Sequence, residues 1–236
     1  MQKRTNSPQS PSPKIEGALT EFDRRLDQRK AEKESIARQI LDAGLIQAGD
    51  KVFIALGTTC FYIAEALMRH FGELHIVTHS VAVVRRYREL WSSGAITSSG
   101  VKVEITGGVV DPTMAYVKGA RLGPLNGAKL IVSPHAINQT CIGGYDAAPE
   151  LQRLVRQHGE IIVAATFEKF GRAFQNSIRN WGQCKSHGQK QWTLVFPDVP
   201  PATADGVVDW TVVEAAVDRI QRESLAWLPG KLPRIS

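Results

Sequence analysis

Six short apolar runs constrain this chain more than any other feature: KVFIAL (Lys51–Leu56), LHIVT (Leu74–Thr78), VKVEIT (Val101–Thr106), AKLIVS (Ala128–Ser133), EIIVAAT (Glu160–Thr166) and WTLVFP (Trp192–Pro197). KVFIAL, ending in Gly57, reads as a buried strand, and the other five read as further strands. Between them lie helical patterns: Thr59–Phe71, with Ile63, Ala64, Leu67 and Met68 on one side, then Val81–Leu90 and Pro149–His158. Strands alternating with helices predict an α/β fold with a mainly parallel, doubly wound, Rossmann-like sheet. In such sheets ligands sit beyond the carboxyl ends of the strands.

The flanks are of a different character. Residues 1–14 are polar and rich in Pro and Ser, a composition that cannot bury enough surface to order itself, so they read as a disordered tail. A helical stripe follows through Ile15, Leu19, Phe22 and Leu26 and resumes at Ile36, Ala37, Ile40 and Leu41. The almost wholly charged EFDRRLDQRKAEKES between them reads as a solvated helix or a connector across the domain. The ligand-binding α/β domain is expected over 15–198, and 199–236 reads as a Pro/Gly linker plus a C-terminal helix, VVEAAVDRIQRESLAWL. Trp210, Leu225, Trp227 and Leu228 there either pack back on the domain or form an oligomer contact.

The first strand delivers Gly57-Thr58-Thr59 straight into a helix. A helix N-terminus presents unpaired N–H groups and the positive end of the dipole, glycine lets the backbone approach a ligand, and two hydroxyls can donate to phosphate oxygens. The simpler reading is that a threonine only caps the helix. Other strand ends carry Thr78-His79-Ser80, the Gly107-Gly108 pair, and Lys169 in TFEKFG. If the strand ends converge, these groups surround one anion pocket, with Lys169 as a point charge on a phosphate. Asp146, in GGYDAAPE, could orient a ligand hydroxyl. His79 and His135 also fall at strand ends, and Cys60 follows the Gly-Thr-Thr turn, where a reactive thiol competes with a packing role. Arg85, Arg86 and Arg88 read as a solvated face.

Composition excludes several classes. The net charge of +6 favours anionic partners, but no Lys/Arg run concentrates it. Three cysteines, Cys60, Cys141 and Cys184, make neither a disulfide framework nor a zinc site, so a reducing cytoplasm is expected, with no metal and no cofactor. No apolar run has the ~18 residues of a membrane span.

The segment KESIARQILDAGLIQAGDKVFIALGTTCFYIAEAL resembles the start of the effector domain of DeoR-family transcriptional regulators, and the resemblance continues through VTHS, ITGG, AYVKGA and ATFEKFG, from about Phe22 to about Gly171. It implies a fold shared with ribose-5-phosphate isomerase, glucosamine-phosphate deaminase and CoA transferases, a phosphorylated sugar or sugar intermediate as ligand, and a homo-oligomer. Carried over by position, Gly57, Thr58, Thr59, Ser80, Gly107, Gly108 and Lys169 are its ligand candidates. The family's winged helix-turn-helix has no counterpart in residues 1–21, so DNA is an expected partner only if that element is supplied. His79 stands where the family usually has Asn, and Lys129 replaces an acidic residue. Ribose-5-phosphate isomerases show Asp-Gly-Ala-Asp-Glu and Lys-Gly-Gly-Gly stretches that are missing here. Three readings stay open: a phosphosugar sensor, an enzyme of the isomerase or deaminase type, and a regulatory partner acting through protein contacts.

Overall fold

The computed structural model describes residues 21–96, 100–111, 116–121, 125, 127–138, 141–144, 160–172, 176–180, 191–198, 213, 215 and 226–227. The N-terminal tail, the Pro149–His158 pattern, most of the C-terminal linker and Asp146 lie outside these residues.

The six apolar runs form strands, and a seventh joins them. The central sheet contains β1 (Lys51–Ile54), β2 (Glu73–Thr78), β3 (Gly100–Ile105), β6 (Lys129–Val132), β9 (Glu160–Ala164), β11 (Gln191–Val195) and β12 (Ala226–Trp227). Two smaller antiparallel sheets pair β4 (Gly107–Asp111) with β5 (Tyr116–Arg121), and β7 (Ala136–Ile137) with β8 (Cys141–Gly144) and β10 (Asn176–Asn180). The helices are α1 (Glu21–Leu26), α2 (Lys30–Asp42), α3 (Thr58–His70) and α4 (Val81–Ser92).

Every pairing in the central sheet is parallel, in the order β12-β11-β9-β6-β1-β2-β3. Val52, Phe53 and Ile54 are fully buried in β1, as continuous apolar runs of a two-sided sheet require. Helix α3 buries Ile63, Ala64, Leu67 and Met68, the stripe expected from the sequence, and α2 buries Ile36, Ala37 and Ile40. Each such aliphatic side chain contributes roughly 1.5–3 kcal/mol on burial.

The strand order has one consequence for any ligand site. From β1 the chain builds outward through β2 and β3, then returns to place β6 on the other side of β1 and builds the opposite way. The order therefore reverses between β1 and β6, and the crevice beyond their carboxyl ends is the switch point where open α/β sheets bind ligands.

Two sequence expectations change. The helix expected through Trp227 gives way to β12, which pairs Ala226 with Thr193 and Trp227 with Leu194. That pairing covers the otherwise open edge of β11, a gain that helical periodicity does not register. The charged segment is not solvated throughout. Arg29, Glu32 and Lys33 are buried, and the chain breaks between α1 and α2 at Arg29, whose φ of 53° is left-handed. The guanidinium holds that conformation by pairing with Glu32 at 2.8 Å and with Glu168 at 2.6 Å. Two carboxylates around one buried arginine offset its desolvation.

Candidate functional site

A cavity of about 320 Å³ opens at the switch point. Its walls come from the segments that follow β1 (Leu56, Gly57, Thr58, Thr59), β6 (Ser133, Pro134, His135) and β9 (Glu168, Lys169, Arg172). Helix α1 and its junction with α2 supply Phe22, Arg24, Arg25 and Gln28, and α2 supplies Lys33. That volume lies in the range of small-molecule pockets.

The β1 segment is shaped by one glycine. Gly57 has φ 117° and ψ 155°, a region essentially closed to side chains, and it caps α3 without a side-chain bond of its own. Thr58 and Thr59 then begin the helix with their N–H groups directed beyond its end. A Cβ at Gly57 would meet nothing within 4 Å, so only the backbone resists substitution. Gly57→Ala is therefore expected to cost about 1–3 kcal/mol, read as a lower denaturation midpoint at unchanged m-value. A larger residue there should cost no more than alanine.

The β9 segment is a 3-10 turn, Phe167–Lys169. Glu32 of α2 accepts a hydrogen bond from the backbone N–H of Phe167 at 3.3 Å, and Lys169 Nζ donates to the hydroxyl of Ser133 after β6. Lys33, next to Glu32, donates through Nζ to the carbonyls of Arg25 at 2.6 Å and Leu26 at 3.2 Å. It thus satisfies carbonyls in the last turn of α1 and holds that short helix against the cavity.

The charge is one-sided. Among the described residues, Arg24, Arg25, Lys33, Lys169 and Arg172 line the space, with Glu168 as the one lining carboxylate. Burial lowers Lys169 to about 8, and Arg172 and Arg25 add to that against the pull of Glu168. Burial also lowers Lys33 to about 8, with Lys169 pushing the same way. His135 is lowered to about 4 by burial, then by Arg172, Arg25 and Lys169. Burial and like-charged neighbours thus push all three groups in the same direction.

The sequence-derived candidates separate into two groups. Gly57, Thr58, Thr59 and Lys169 meet at the cavity, whereas Thr78, His79, Ser80, Gly107 and Gly108 do not line it. The reason is strand order: β2 and β3 lie on the far side of β1 from β6. The Thr78 hydroxyl donates to Ile54 O at 2.8 Å, and Ser80 caps α4 by accepting from Val83 N at 3.4 Å. Gly107 and Gly108 open the β4–β5 hairpin rather than ending a strand over the pocket. His79, 3% exposed, packs edge-on to Phe53 and accepts a hydrogen bond from Leu56 N at 2.9 Å through Nε2. It therefore supports the cradle from behind, with its proton on Nδ1. Cys60 is fully buried and burial pushes its thiol up to about 12, so packing is its role. Among the described residues no group of His, Cys, Asp or Glu could hold a metal ion, and no helix is long and apolar enough to cross a membrane.

Sequence reasoning missed Arg24, Arg25, Lys33 and Arg172, and set His135 aside. The signal for Arg24, Arg25 and Lys33 was present only as the density of basic residues around 24–33, which has no helical or strand period. A second, larger cavity of about 630 Å³ lies among α1, α2, α3 and α4. Its rim carries both signs of charge, and Glu65 and Glu89 there neutralise Arg69, Arg85 and Arg86.

The model of a family described as DeoR C terminal sensor domain matches residues 28–186, and the chain belongs to that family. No curated protein matches the chain. Among solved structures it is similar to ribose 5-phosphate isomerase from Plasmodium falciparum, at 15% identity and a TM-score of 0.38, over 58% of this chain and 51% of that one. It is also similar to eIF2B beta from Chaetomium thermophilum, at 16% identity and a TM-score of 0.40, over 62% of this chain and 41% of that one. Ribose 5-phosphate isomerase A from Methanocaldococcus jannaschii matches at 10% identity and a TM-score of 0.36, over 58% of this chain and 52% of that one. The chain spans about half or less of the length of each of these structures.

Proposed function

We propose that this DeoR-family sensor domain binds a phosphorylated sugar or a related phosphometabolite in the cavity between β1 and β6, and that it acts in regulation by sensing that ligand. The observation that carries the reading is the convergence of five basic side chains and the N-terminus of α3 on one small cavity whose described lining residues include one carboxylate. A dianionic phosphate placed there adds a counter-charge among these basic groups. The Gly57 turn brings the backbone N–H groups of α3 to the anion, the Thr58 and Thr59 hydroxyls offer further donors, and Lys169 supplies a charge from the opposite wall. Arg24 and Arg25 ride on α1, so ligand contact reaches the N-terminal flank of the domain.

The reading carries a pH signature. Lys33 and Lys169 are both lowered to about 8, chiefly by burial. A bound phosphate favours their charged forms, so binding is linked to proton uptake as pH rises through 8 and beyond. Affinity is expected to be level between pH 7 and 7.5, where a phosphate monoester is a dianion, and to fall by about tenfold or more between pH 8 and 9.5. Titration calorimetry in two buffers of different ionisation heat measures both the affinity and the protons taken up. Affinity that holds or rises across that interval contradicts the placement of the phosphate beside the two lysines.

The direct test is a thermal-shift panel of phosphorylated sugars, with inorganic phosphate and unphosphorylated sugars as controls. A ligand at ~100 times its Kd adds about 2.7 kcal/mol, a rise of several degrees for a domain of this size. A flat panel contradicts the sensor reading. Assaying the same mixtures for altered sugar phosphate separates sensing from turnover.

A further inference from the structure

Glu168 is out of place in an anion site. It lines the cavity, its side chain is 29% exposed, and it sits beside the lysine that would meet the phosphate. One oxygen is committed: Oε2 takes Arg29 Nε at 2.6 Å and lies 3.6 Å from Arg172. The other, Oε1, has the Thr166 hydroxyl at 3.5 Å, the outer limit of a hydrogen bond. A carboxylate offers about four acceptor positions, so acceptor capacity remains on a side chain that lines the cavity. The buried Arg29 already has Glu32 as a second partner, so its neutralisation does not require Glu168 alone.

We infer that Glu168 is a specificity-determining residue that reads a hydroxyl group on the ligand beside its phosphate. The inference rests on the anion-site reading. A carboxylate repels a phosphate dianion at contact range, so the phosphate must settle toward Thr58, Thr59 and Lys169. The ligand atoms next to it then face Glu168. A hydroxyl there donates to the carboxylate, whereas a methyl group leaves that acceptor desolvated and unpaired. An ammonium would satisfy Glu168 equally but would face five basic side chains across the same cavity. The site therefore takes phosphate monoesters of polyols and sugars and discriminates against bare or alkylated phosphate.

Titration calorimetry on the full chain tests this with four probes: inorganic phosphate, methyl phosphate, glycerol 3-phosphate and ribose 5-phosphate. The wild type is expected to bind the better of the two hydroxylated esters about tenfold or more tighter than methyl phosphate. Glu168→Gln should tighten inorganic and methyl phosphate and compress that ratio to within about threefold, because its amide keeps the shape and loses the charge. Circular dichroism shows whether the variant folds. If it does not, the wild-type ratio decides, and a ratio near one overturns the proposal. A preference that survives Glu168→Gln unchanged also overturns it, while leaving the anion site standing. No binding of any probe to either protein overturns the anion site and this inference together.

Discussion

Lys169→Ala is expected to weaken phosphate-ester binding by about 10–100-fold while leaving the ligand-free domain at least as stable as the wild type. The first half follows from the loss of a charge-assisted hydrogen bond in a partly desolvated site, worth roughly 1.5–3 kcal/mol. The second half follows from linkage. Lys169 titrates near 8 in the fold against 10.5 for an unperturbed lysine. Its folded value is depressed, so at pH 7 the charged lysine opposes folding, and the stability missing there returns as pH rises from about 8 toward 10.5. Removing the side chain removes that opposition and leaves the Ser133 hydroxyl facing the cavity, where water reaches it. A structural lysine would behave oppositely, since its loss would lower the melting temperature whether or not ligand was present. Melting temperature without ligand and affinity by calorimetry, measured on one preparation, separate the two cases. An alanine variant that binds normally removes Lys169 from the site.

The second large effect concerns acid stability. Burial depresses His79 from 6.5 to about 4, and its Nε2 accepts from Leu56 N, which only the neutral ring can do. The unfolded chain protonates this histidine below about 6.5 and the folded chain resists until about 4. Its contribution is complete above pH 6.5 and is lost as pH falls through that interval. The loss is about 2–3 kcal/mol between pH 7 and pH 4.5. His79→Asn cannot titrate, so its denaturation free energy should fall by that much less over the same interval. Urea denaturation at both pH values gives the difference for each protein, and carboxylates that titrate in both cancel in the comparison. Equal losses would mean that the ring is solvated enough to charge in the fold. The stake is functional as well, because Leu56 immediately precedes Gly57 and a charged His79 would release the segment that shapes the cradle.

Much of this was legible in the sequence. KVFIAL became a strand because a short, continuously apolar segment has few other places to go, and the other five runs are strands too. Ile63, Ala64, Leu67 and Met68 turned inward because their spacing returns to one side of a helix. Gly57 announced its turn through its placement between a strand and a helix, and Lys169 through its position just past a strand. Strand order could not be read, because nothing in β2 or β3 states on which side of β1 each will pair. That is why Thr78, Ser80 and the Gly107-Gly108 pair seemed to share the pocket with Gly57 and do not line it. Arg24, Arg25 and Lys33 were hidden for a different reason. Charged residues are ordinarily solvated, and the junction that brings α1 to the cavity is tied down by Arg29 pairing with Glu168, 139 positions away along the chain. The two-residue strand at Ala226–Trp227 is too short to carry any period.

The measurement that bears most directly on the central claim is a structure determined from crystals grown with a phosphorylated sugar that raises the melting temperature. Phosphate density is expected beyond the N-terminus of α3, with oxygens about 2.7–3.2 Å from donors of Thr58, Thr59 and Lys169, and with the sugar running toward Glu168. Phosphate density in the groove among α1, α2, α3 and α4, or beside Thr78 and Gly107 at the β2–β3 edge, would contradict it.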